Sequence, residues 1–561
     1  MVETGFVCSG EPSTCNTVCG DGVPAGTETC DDSNLVNLDG CDDLCGVETD
    51  YQCYGAPSVC LNVSHSFAMN DAAVIAAGDF SLTRTMQAIV DSSGGTTTTP
   101  AAVLQTFVDS FNITSLTQPE SGLDMPLDAR AGEAALDPND MLDPATDDGL
   151  VPVALFNRFD LAPADGSHCG EHRVVYARQG PGASFPRLTV IFEAALPNPT
   201  PALGMEGCRP VAEFWASLSD ANAFPTAASR AAALEDFYYV GLPGFDPVVT
   251  HAAYGVPLGQ IRADLFMTLP KWQLREYRTF FGSGGEAIIV QGITGSSPLT
   301  EFYDSNFDVT TETGFAGVTD PVLFGTERTD FQTDFVDNRV SELLGPELAA
   351  GPITAFDVIN GASVSIPSRY WELQTDSQPP SDDEPETTAS TDLRASIDSE
   401  LGNLGVTELT STHILNRVGA TTCAGCHQFS TGKVVGKTDQ GIDIVWPDSN
   451  LFTHVNEHGV LSPALTNFFL PFRRDAVGAF LSTPAGGSDA APGLLQLPLA
   501  RLKLMATKAG ADFERTLVEF YECDDEEDMP EIVDDLEESI DAVRWEDSVK
   551  PGAFYSIRPT H

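Results

Sequence analysis

The run Ile261-Arg262-Ala263-Asp264-Leu265-Phe266-Met267-Thr268 decides the fold class, because apolar and polar side chains alternate along most of it. Alternation with a period of two is typical of a β-strand that buries one of its faces. Pro270 and Lys271 predict a turn, and residues 272–280 then predict a second strand. Short apolar stretches at 151–156, 188–192 and 286–293 predict three more strands, so we expect a β-rich centre.

Helical periodicity lies on both sides of this β-rich centre and also within it. Apolar residues recur every three or four positions at 83–89, 102–111, 211–218, 227–237 and 393–404. The chain is therefore predicted to have an α+β fold. We expect four parts: a disulfide-rich acidic module at 1–62, an α+β body at 63–376, an acidic linker or loop rich in Pro and Ser at 377–390, and a mainly helical region at 391–561.

The charge of the chain excludes several classes of partner. Its 82 Asp and Glu against 28 Lys and Arg give a formal charge of −54, which excludes a general nucleic-acid binder and argues against docking on anionic lipid. No apolar run reaches about 18 residues, so no membrane span is predicted. The acidity itself has two interpretations: solubility in a salty or extracellular medium, or local binding of cations.

The cysteines predict an oxidising compartment. Eight of the 13 cysteines fall within the first 60 residues, and a segment so short needs disulfides because it cannot build a sufficient core. The sequence leaves their pairing open. Cys169 and Cys208 predict a fifth disulfide, and Cys523 is left as a buried or free thiol. The eight N-terminal cysteines are Cys8, Cys15, Cys19, Cys30, Cys41, Cys45, Cys53 and Cys60.

We expect this protein in the periplasm, outside the cell or on the cell surface of a Gram-negative bacterium. The first residues, Met-Val-Glu-Thr-Gly-Phe, carry neither the basic nor the apolar part of a leader peptide, so we expect that a leader has been removed.

One motif carries chemistry: Cys423-Ala424-Gly425-Cys426-His427. Two thiols at this spacing reach the two vinyl groups on one edge of a porphyrin, and the adjacent histidine then coordinates the iron. The motif resembles the attachment site of c-type cytochromes, which implies one covalent haem held by these two cysteines and His427. Zinc binding and a plain disulfide remain as alternatives.

The sixth iron ligand and the partners of the haem propionates are less clear from the sequence. We expect His454 or His413 as the sixth ligand, with His458, Met505 or no protein ligand as alternatives. For the propionates, the candidates are Arg417, Arg473 and Arg474, because the guanidinium group pairs bidentately with carboxylates.

The N-terminal acidic residues follow a second pattern. Cys19-Gly-Asp-Gly22, Cys30-Asp-Asp-Ser-Asn34 and Leu38-Asp-Gly-Cys41 resemble the cysteine-rich repeat of secreted myxobacterial proteins, which is related to small calcium-binding Notch-type modules. Ser33 and Leu38 stand where that repeat usually has glycine. The resemblance implies a calcium site, and the alternative is a solvated acidic knot whose aspartates cap turns. The candidate calcium ligands are Asp21, Asp31, Asp32, Asn34 and Asp39.

The central region offers few further sites. His168 and His172 flank Cys169 as a candidate metal pair, although a Cys169–Cys208 disulfide is the simpler interpretation. Residues 157–178, 191–213 and 415–472 faintly resemble uncharacterised exported proteins of deltaproteobacteria, and this resemblance implies no activity.

Together these features predict an exported, single-haem c-type cytochrome that transfers electrons to or from a redox protein or a small donor or acceptor. Two alternatives stay open. One is a haem-dependent peroxidase or oxygenase with an open distal site. The other is a structural surface or filament subunit that self-assembles and is stabilised by haem and calcium.

Overall fold

A computed structural model of the chain describes most of residues 3–483. Of the residues discussed above, Pro270, Lys271, Cys423, Met505 and Cys523 lie outside the described part, as do residues 377–383 of the expected linker and the C-terminal tail. The described ranges are 3–94, 98–117, 124–126, 129–178, 187–255, 259–268, 272–282, 285–293, 300–305, 321–349, 351–361, 363–364, 384–422 and 424–483.

A seven-stranded antiparallel sheet forms the centre of the protein. Its strand order is β13-β12-β11-β10-β9-β8-β5, so apart from the short β5 each strand lies beside its neighbour in sequence. The strands are β5 (Ala68–Met69), β8 (Leu150–Arg158), β9 (His168–Arg178), β10 (Leu188–Pro197), β11 (Gln260–Leu265), β12 (Gln273–Gly282) and β13 (Gly285–Ile293).

The quoted alternating run forms β11, as the sequence predicts. Its apolar side chains Ile261, Ala263 and Leu265 are buried in the main core. The sequence did not predict β9, the longest strand of the sheet, because Glu171 and Arg173 interrupt its apolar pattern. Both residues are paired in the structure, so tertiary contacts offset the cost of placing them in a sheet.

Helices cover one face of the sheet. On this face of β9, His172 accepts a hydrogen bond from Trp215 Nε1 at 3.2 Å, and the Tyr176 hydroxyl donates to the carbonyl of Phe80 at 2.9 Å. The helices of this part of the chain are α1 (Val63–Ser66), α2 (Ala72–Ala77), α3 (Leu82–Ser92), α4 (Pro100–Asp109), α5 (Pro138–Leu142), α6 (Arg209–Ser217) and α7 (Ala227–Tyr239).

The region after the sheet is mainly helical. A separate apolar cluster joins its helices, with Phe331, Leu343, Leu393 and Leu415 among its buried residues. The helices are α8 (Pro321–Asp334), α9 (Val340–Glu342), α10 (Gly345–Leu348), α11 (Ala355–Gly361), α12 (Pro385–Thr388), α13 (Thr391–Asn403), α14 (Ser411–Ala420) and α15 (Leu470–Leu481). Single π-helical turns lie at Phe335–Arg339, Gly425–Phe429 and Leu465–Phe469, and a hairpin is formed by β14 (Val434–Lys437) and β15 (Asp443–Val445). Turns of 3₁₀ helix lie at Ser110–Asn112, Glu133–Ala135, Phe159–Leu161, Pro201–Cys208, Ala252–Tyr254 and Thr300–Tyr303, and a further short hairpin is formed by β6 (Ser115–Thr117) and β7 (Asp124–Pro126).

The N-terminal module consists of two hairpins and four disulfides. The hairpins pair β1 (Phe6–Ser9) with β2 (Thr14–Thr17) and β3 (Tyr51–Tyr54) with β4 (Val59–Asn62). The module packs on the body, since the Tyr51 hydroxyl donates to the carbonyl of Ser219 and the Tyr54 hydroxyl donates to Asp475, each at 2.5 Å. The pairs are Cys8–Cys15, Cys19–Cys45, Cys30–Cys41 and Cys53–Cys60.

The expected fifth disulfide, Cys169–Cys208, is present and joins β9 to the start of α6. Five disulfides indicate a protein that resides outside the cytosol. The α+β fold class and the disulfide-rich module are thus confirmed. None of the described helices has both the length and the apolar character that crossing a membrane requires.

Candidate functional site

A charged cavity lies between the second face of the sheet and the segment that carries the Cys-x-x-Cys-His motif. Its volume is about 90 Å³. Strands β8 to β12 form its floor, and residues of the 426–473 segment form its cover. The Arg187–Glu457 ion pair and a hydrogen bond from Arg187 to Thr453 at 3.0 Å hold the cover on the floor.

The polar residues of the alternating strands supply the floor. The sequence predicts that Arg262 and Asp264 lie on the face of β11 opposite its apolar residues, and in the structure this face is the cavity wall rather than open surface. Only 1% of Asp264 is exposed. Burial raises the pKa of Asp264 to about 7, although Trp272 Nε1 donates a hydrogen bond to its carboxyl group at 3.1 Å.

Glu193 on β10 organises the charges at the middle of the floor. It lies 3.1 Å from Arg173 of β9 and 3.3 Å from Arg262 of β11. Gln260 donates to the same carboxylate at 2.6 Å, and Arg173 also pairs with Glu171 at 2.7 Å. Since each of these two arginines has an acidic partner, this part of the floor is close to electrically balanced.

His427 enters the cavity from the cover. Its Nδ1–H donates to the carbonyl oxygen of Phe452 at 2.6 Å, which fixes the tautomer and leaves the lone pair on Nε2. The ring stacks on Trp272 with 5.5 Å between centroids. Burial lowers the pKa of His427 to about 4, so the imidazole is neutral near pH 7. A neutral, oriented imidazole of this kind is suited to binding a metal.

The backbone of the motif turns tightly against α14. A Cβ at Gly425 would lie 1.9 Å from the carbonyl oxygen of Gly419, so only glycine fits this approach. The amide of Gly425 donates to the Thr422 hydroxyl at 2.9 Å. The resulting π-helical turn, Gly425–Phe429, places Cys426 and His427 on the same cavity.

Cys426 and His454 lie next to each other in this cover. The distance from Cys426 Sγ to His454 Nε2 is 3.2 Å, and His454 Nδ1 lies 2.9 Å from the Ser462 hydroxyl. The imidazole rings of His454 and His427 meet edge to face, with 4.8 Å between centroids. The structure therefore brings Cys426, His427 and His454 together on one side of the cavity.

The other expected ligands lie elsewhere. His413 belongs to the N-terminal turn of α14, where its Nδ1 lies 3.0 Å from the Thr410 hydroxyl. His458 is exposed on a loop, and neither histidine lines the cavity. His172, one of the two histidines of the candidate metal pair, is buried against Trp215.

Of the three arginines considered for the propionates, only Arg473 reaches the cavity. Arg417 is buried in an ion pair with Glu347 at 2.6 Å, and Arg474 contacts Tyr54 and Asp475. The sequence did not identify Arg173 and Glu193 as site residues, and it predicted Arg262 only as part of the polar face of β11. The signal for Arg173 and Glu193 is a charged residue inside an otherwise apolar strand.

The expected calcium ligands act mainly as turn caps. The Asp31 carboxylate accepts hydrogen bonds from the amides of Gly20, Asp21, Gly22 and Ser33, at 2.9 to 3.2 Å. Asp21 caps the amide of Val23 and Asp32 that of Asn34. Asp39 differs from the others, because its Oδ1 is buried without a hydrogen-bond partner among the described residues.

The two departures from the repeat pattern also have a structural counterpart. Ser33 and Leu38, which stand where glycine is usual, have φ values of 73° and 75°. This left-handed conformation favours glycine, so Ser33 and Leu38 adopt it at some cost in strain.

Comparisons with known proteins concern the N-terminal module alone. No curated protein and no solved structure matches the chain. Residues 3–53 match a domain of unknown function, DUF4215. Its cysteines are those paired in the structure, and the N-terminal module is therefore a cysteine-rich DUF4215 domain.

Proposed function

We propose that this chain is an exported haem c protein that transfers single electrons, and that the haem group is held in the charged cavity by Cys426 and His427. The hydrogen bond from His427 Nδ1 to the Phe452 carbonyl carries the proposal, because it presents Nε2 as the ligand atom beside a cavity-lining thiol. Cys423, the other cysteine of the motif, lies outside the described residues.

The residues around the cavity fit such a group. A c-type haem bound here would supply one-electron oxidation and reduction at iron. The Phe452 carbonyl and the stacked Trp272 ring would keep the imidazole in one orientation. The paired Arg173 and Glu193 of the floor would offer fixed dipoles around the group.

A second candidate is a haem-dependent oxidoreductase that binds a small substrate at iron. His427 and His454 are the only histidines that line the cavity among the described residues, and methionine is not among its lining residues. With 4.8 Å between their ring centroids, these two imidazoles lie side by side and leave no space for a porphyrin between them.

The experiment begins with the purified chain and measures haem that stays attached after denaturation. Cys426→Ala is expected to remove a large part of the covalently held haem and His427→Ala to change the visible spectrum, while His458→Ala, a change at an exposed histidine, alters neither. Loss of all haem on denaturing the unmodified chain would refute the proposal. A low-spin spectrum favours the electron carrier, whereas a high-spin spectrum with peroxide turnover favours the oxidoreductase.

The location and the redox partner are parts of the same proposal. The disulfides support an oxidising compartment, and we assign the protein to the periplasm or the cell surface of a Gram-negative bacterium. Its partner would be a redox protein or a small electron donor or acceptor. Fractionation of the cells that produce it, followed by detection of the chain, tests this assignment.

We also propose that the N-terminal module binds a calcium ion through Asp32, Asn34 and Asp39, which are three of the five ligands predicted from the sequence. Burial and the Asp39 charge raise the pKa of Asp32, and burial likewise raises the pKa of Asp39. Asn34 lies between them and donates to Asp39 at 3.2 Å. Two neighbouring carboxylates with raised pKa values support cation binding, since a bound cation would stabilise both charges.

A further inference from the structure

Arg473 is the cavity residue whose charge is least compensated. It lies on α15, is only 5% exposed and lines the cavity beside Cys426. Its ion pair with Asp160 spans 3.9 Å, and it makes no hydrogen bond to the residues that the structure describes. A guanidinium group has five N–H donors and is never deprotonated in proteins, so these donors face the cavity without acceptors.

Asp160 does not neutralise Arg473, because it is already engaged by Arg158. Arg158 Nε lies 3.0 and 3.1 Å from the two carboxylate oxygens, and Nη2 donates to Oδ2 at 2.9 Å. Arg173 and Arg262 have Glu171 and Glu193 as partners. Arg158, Arg173 and Arg262 thus each have a carboxylate within 3.3 Å, whereas the contact of Arg473 with Asp160 spans 3.9 Å.

A charge in this position favours an anionic ligand. A buried charge without a hydrogen-bonded partner is strongly destabilising. Burial, together with the nearby Arg158 and Arg173, lowers the pKa of Arg473 well below its usual range. Both observations describe a cation that the described residues do not satisfy, at the wall of a cavity of about 90 Å³.

We propose that Arg473, with Arg158 beside it, binds a small free carboxylate or oxyanion inside the cavity. The planar fork of a guanidinium group matches the two oxygens of such a ligand. A haem propionate has the same chemistry, and the experiment below distinguishes it from a free anion.

This inference deepens the proposed function, since it names a ligand for the same cavity, but anion binding itself does not require haem. In the oxidoreductase alternative the anion is the substrate or a substrate analogue. In the electron carrier it is an effector bound next to the redox group.

The test compares Arg473→Gln with Arg474→Gln in the full chain, using acetate as the probe at constant ionic strength. Arg474 is the matched control, because it is the next residue of the same helix and contacts Tyr54 outside the cavity. Acetate is titrated by calorimetry and by its effect on the melting temperature. We expect saturable binding in the unmodified chain and in Arg474→Gln, and a loss of about tenfold or more in affinity in Arg473→Gln, as for one charge-assisted pair.

Equal affinities in the two glutamine variants, or no saturable acetate binding by the unmodified chain, would overturn the inference. If the unmodified chain binds no acetate and Arg473→Gln changes the haem spectrum, Arg473 serves a propionate instead. Should Arg473→Gln not fold, Arg473→Lys replaces it. This variant keeps the charge but not the fork, and binding as tight as in the unmodified chain would count against the site.

Haem content is measured in every sample so that the two proposals fail separately. A chain without covalent haem that binds acetate through Arg473 rejects the haem proposal and keeps this one. A chain with covalent haem but without Arg473-dependent acetate binding keeps the haem proposal and rejects the anion site.

Discussion

The contact between Gly478 of α15 and the Tyr54 ring predicts that an alanine here destabilises the protein. Alanine in a helix interior is normally better than glycine by about 1 kcal/mol. A Cβ at Gly478, however, would lie 2.2 Å from Tyr54 Cδ2 and 2.4 Å from Cε2. Tyr54 cannot move away easily, because its hydroxyl is held by Asp475 at 2.5 Å and by Arg474 at 3.1 Å.

The magnitude follows from these opposing terms. Overpacking of this kind costs about 1 to 3 kcal/mol, and disturbing the charge-assisted hydrogen bond of Tyr54 costs about 1.5 kcal/mol more. After the gain in helix propensity is subtracted, Gly478→Ala is expected to lower the free energy of unfolding by about 2 kcal/mol. The change also loosens the attachment of the N-terminal module to α15, which carries Arg473.

The assay is urea denaturation of single and double variants. Gly402→Ala is the matched control, since Gly402 also lies in a helix, α13, but a Cβ there meets no atom within 4 Å. It is expected to be neutral or to stabilise by up to about 1 kcal/mol. In a Tyr54→Ala background, Gly478→Ala is expected to lose its penalty and keep only the gain in helix propensity, giving a coupling energy of about 3 kcal/mol. A Gly478→Ala variant as stable as Gly402→Ala would refute the reasoning.

Three further predictions concern acid stability, the fifth disulfide and calcium. Burial lowers the pKa of His172 to about 3, so the folded chain binds this proton less readily than the unfolded chain. The free energy of unfolding is therefore expected to fall as the pH drops below about 6.5, by up to about 1.4 kcal/mol per pH unit. Urea denaturation at several pH values should show a less steep fall in His172→Gln. Cys169 and Cys208 are 39 residues apart, so replacing both by Ala is expected to cost about 4 kcal/mol in the chain-entropy estimate, and an unchanged melting temperature would contradict this. Calcium is expected to raise the melting temperature of the unmodified chain but not that of Asp32→Asn. Asp21→Asn, a change at an exposed turn cap, is the control and should show the same rise as the unmodified chain. An equal rise in all three chains would reject the site.

Local sequence patterns were sufficient for several elements. The alternation around Ile261 and Leu265 identified β11, and helical periodicity identified α3, α4, α6, α7 and α13 close to their observed bounds. These predictions succeeded because burial of one face imposes a period that the residues themselves record. Strand β9 was not predicted because Glu171 and Arg173 break the apolar period by which a buried strand is recognised in a sequence.

One part of the candidate site was visible in the sequence, and the other part was not. The motif Cys423-Ala-Gly-Cys426-His427 and the nearby His454 were visible in the sequence, because thiol spacing and imidazole chemistry are local properties. The floor of the cavity was not visible. Periodicity tells which side chains share a face of a strand, but what covers that face depends on contacts between residues far apart in the chain.

By itself, then, the sequence determined the α+β class and the disulfide-rich module, and it predicted a motif for haem attachment. Only the tertiary structure decided which cysteines pair, which face of the sheet meets helices and which meets a cavity, and which arginine is left without an adequate partner. The physical reason is that a residue's chemistry and its local period are fixed by the chain, whereas burial and ion pairing are set by distant segments. Asp160 and Arg473 are an example: they lie 3.9 Å apart although more than half of the chain separates them.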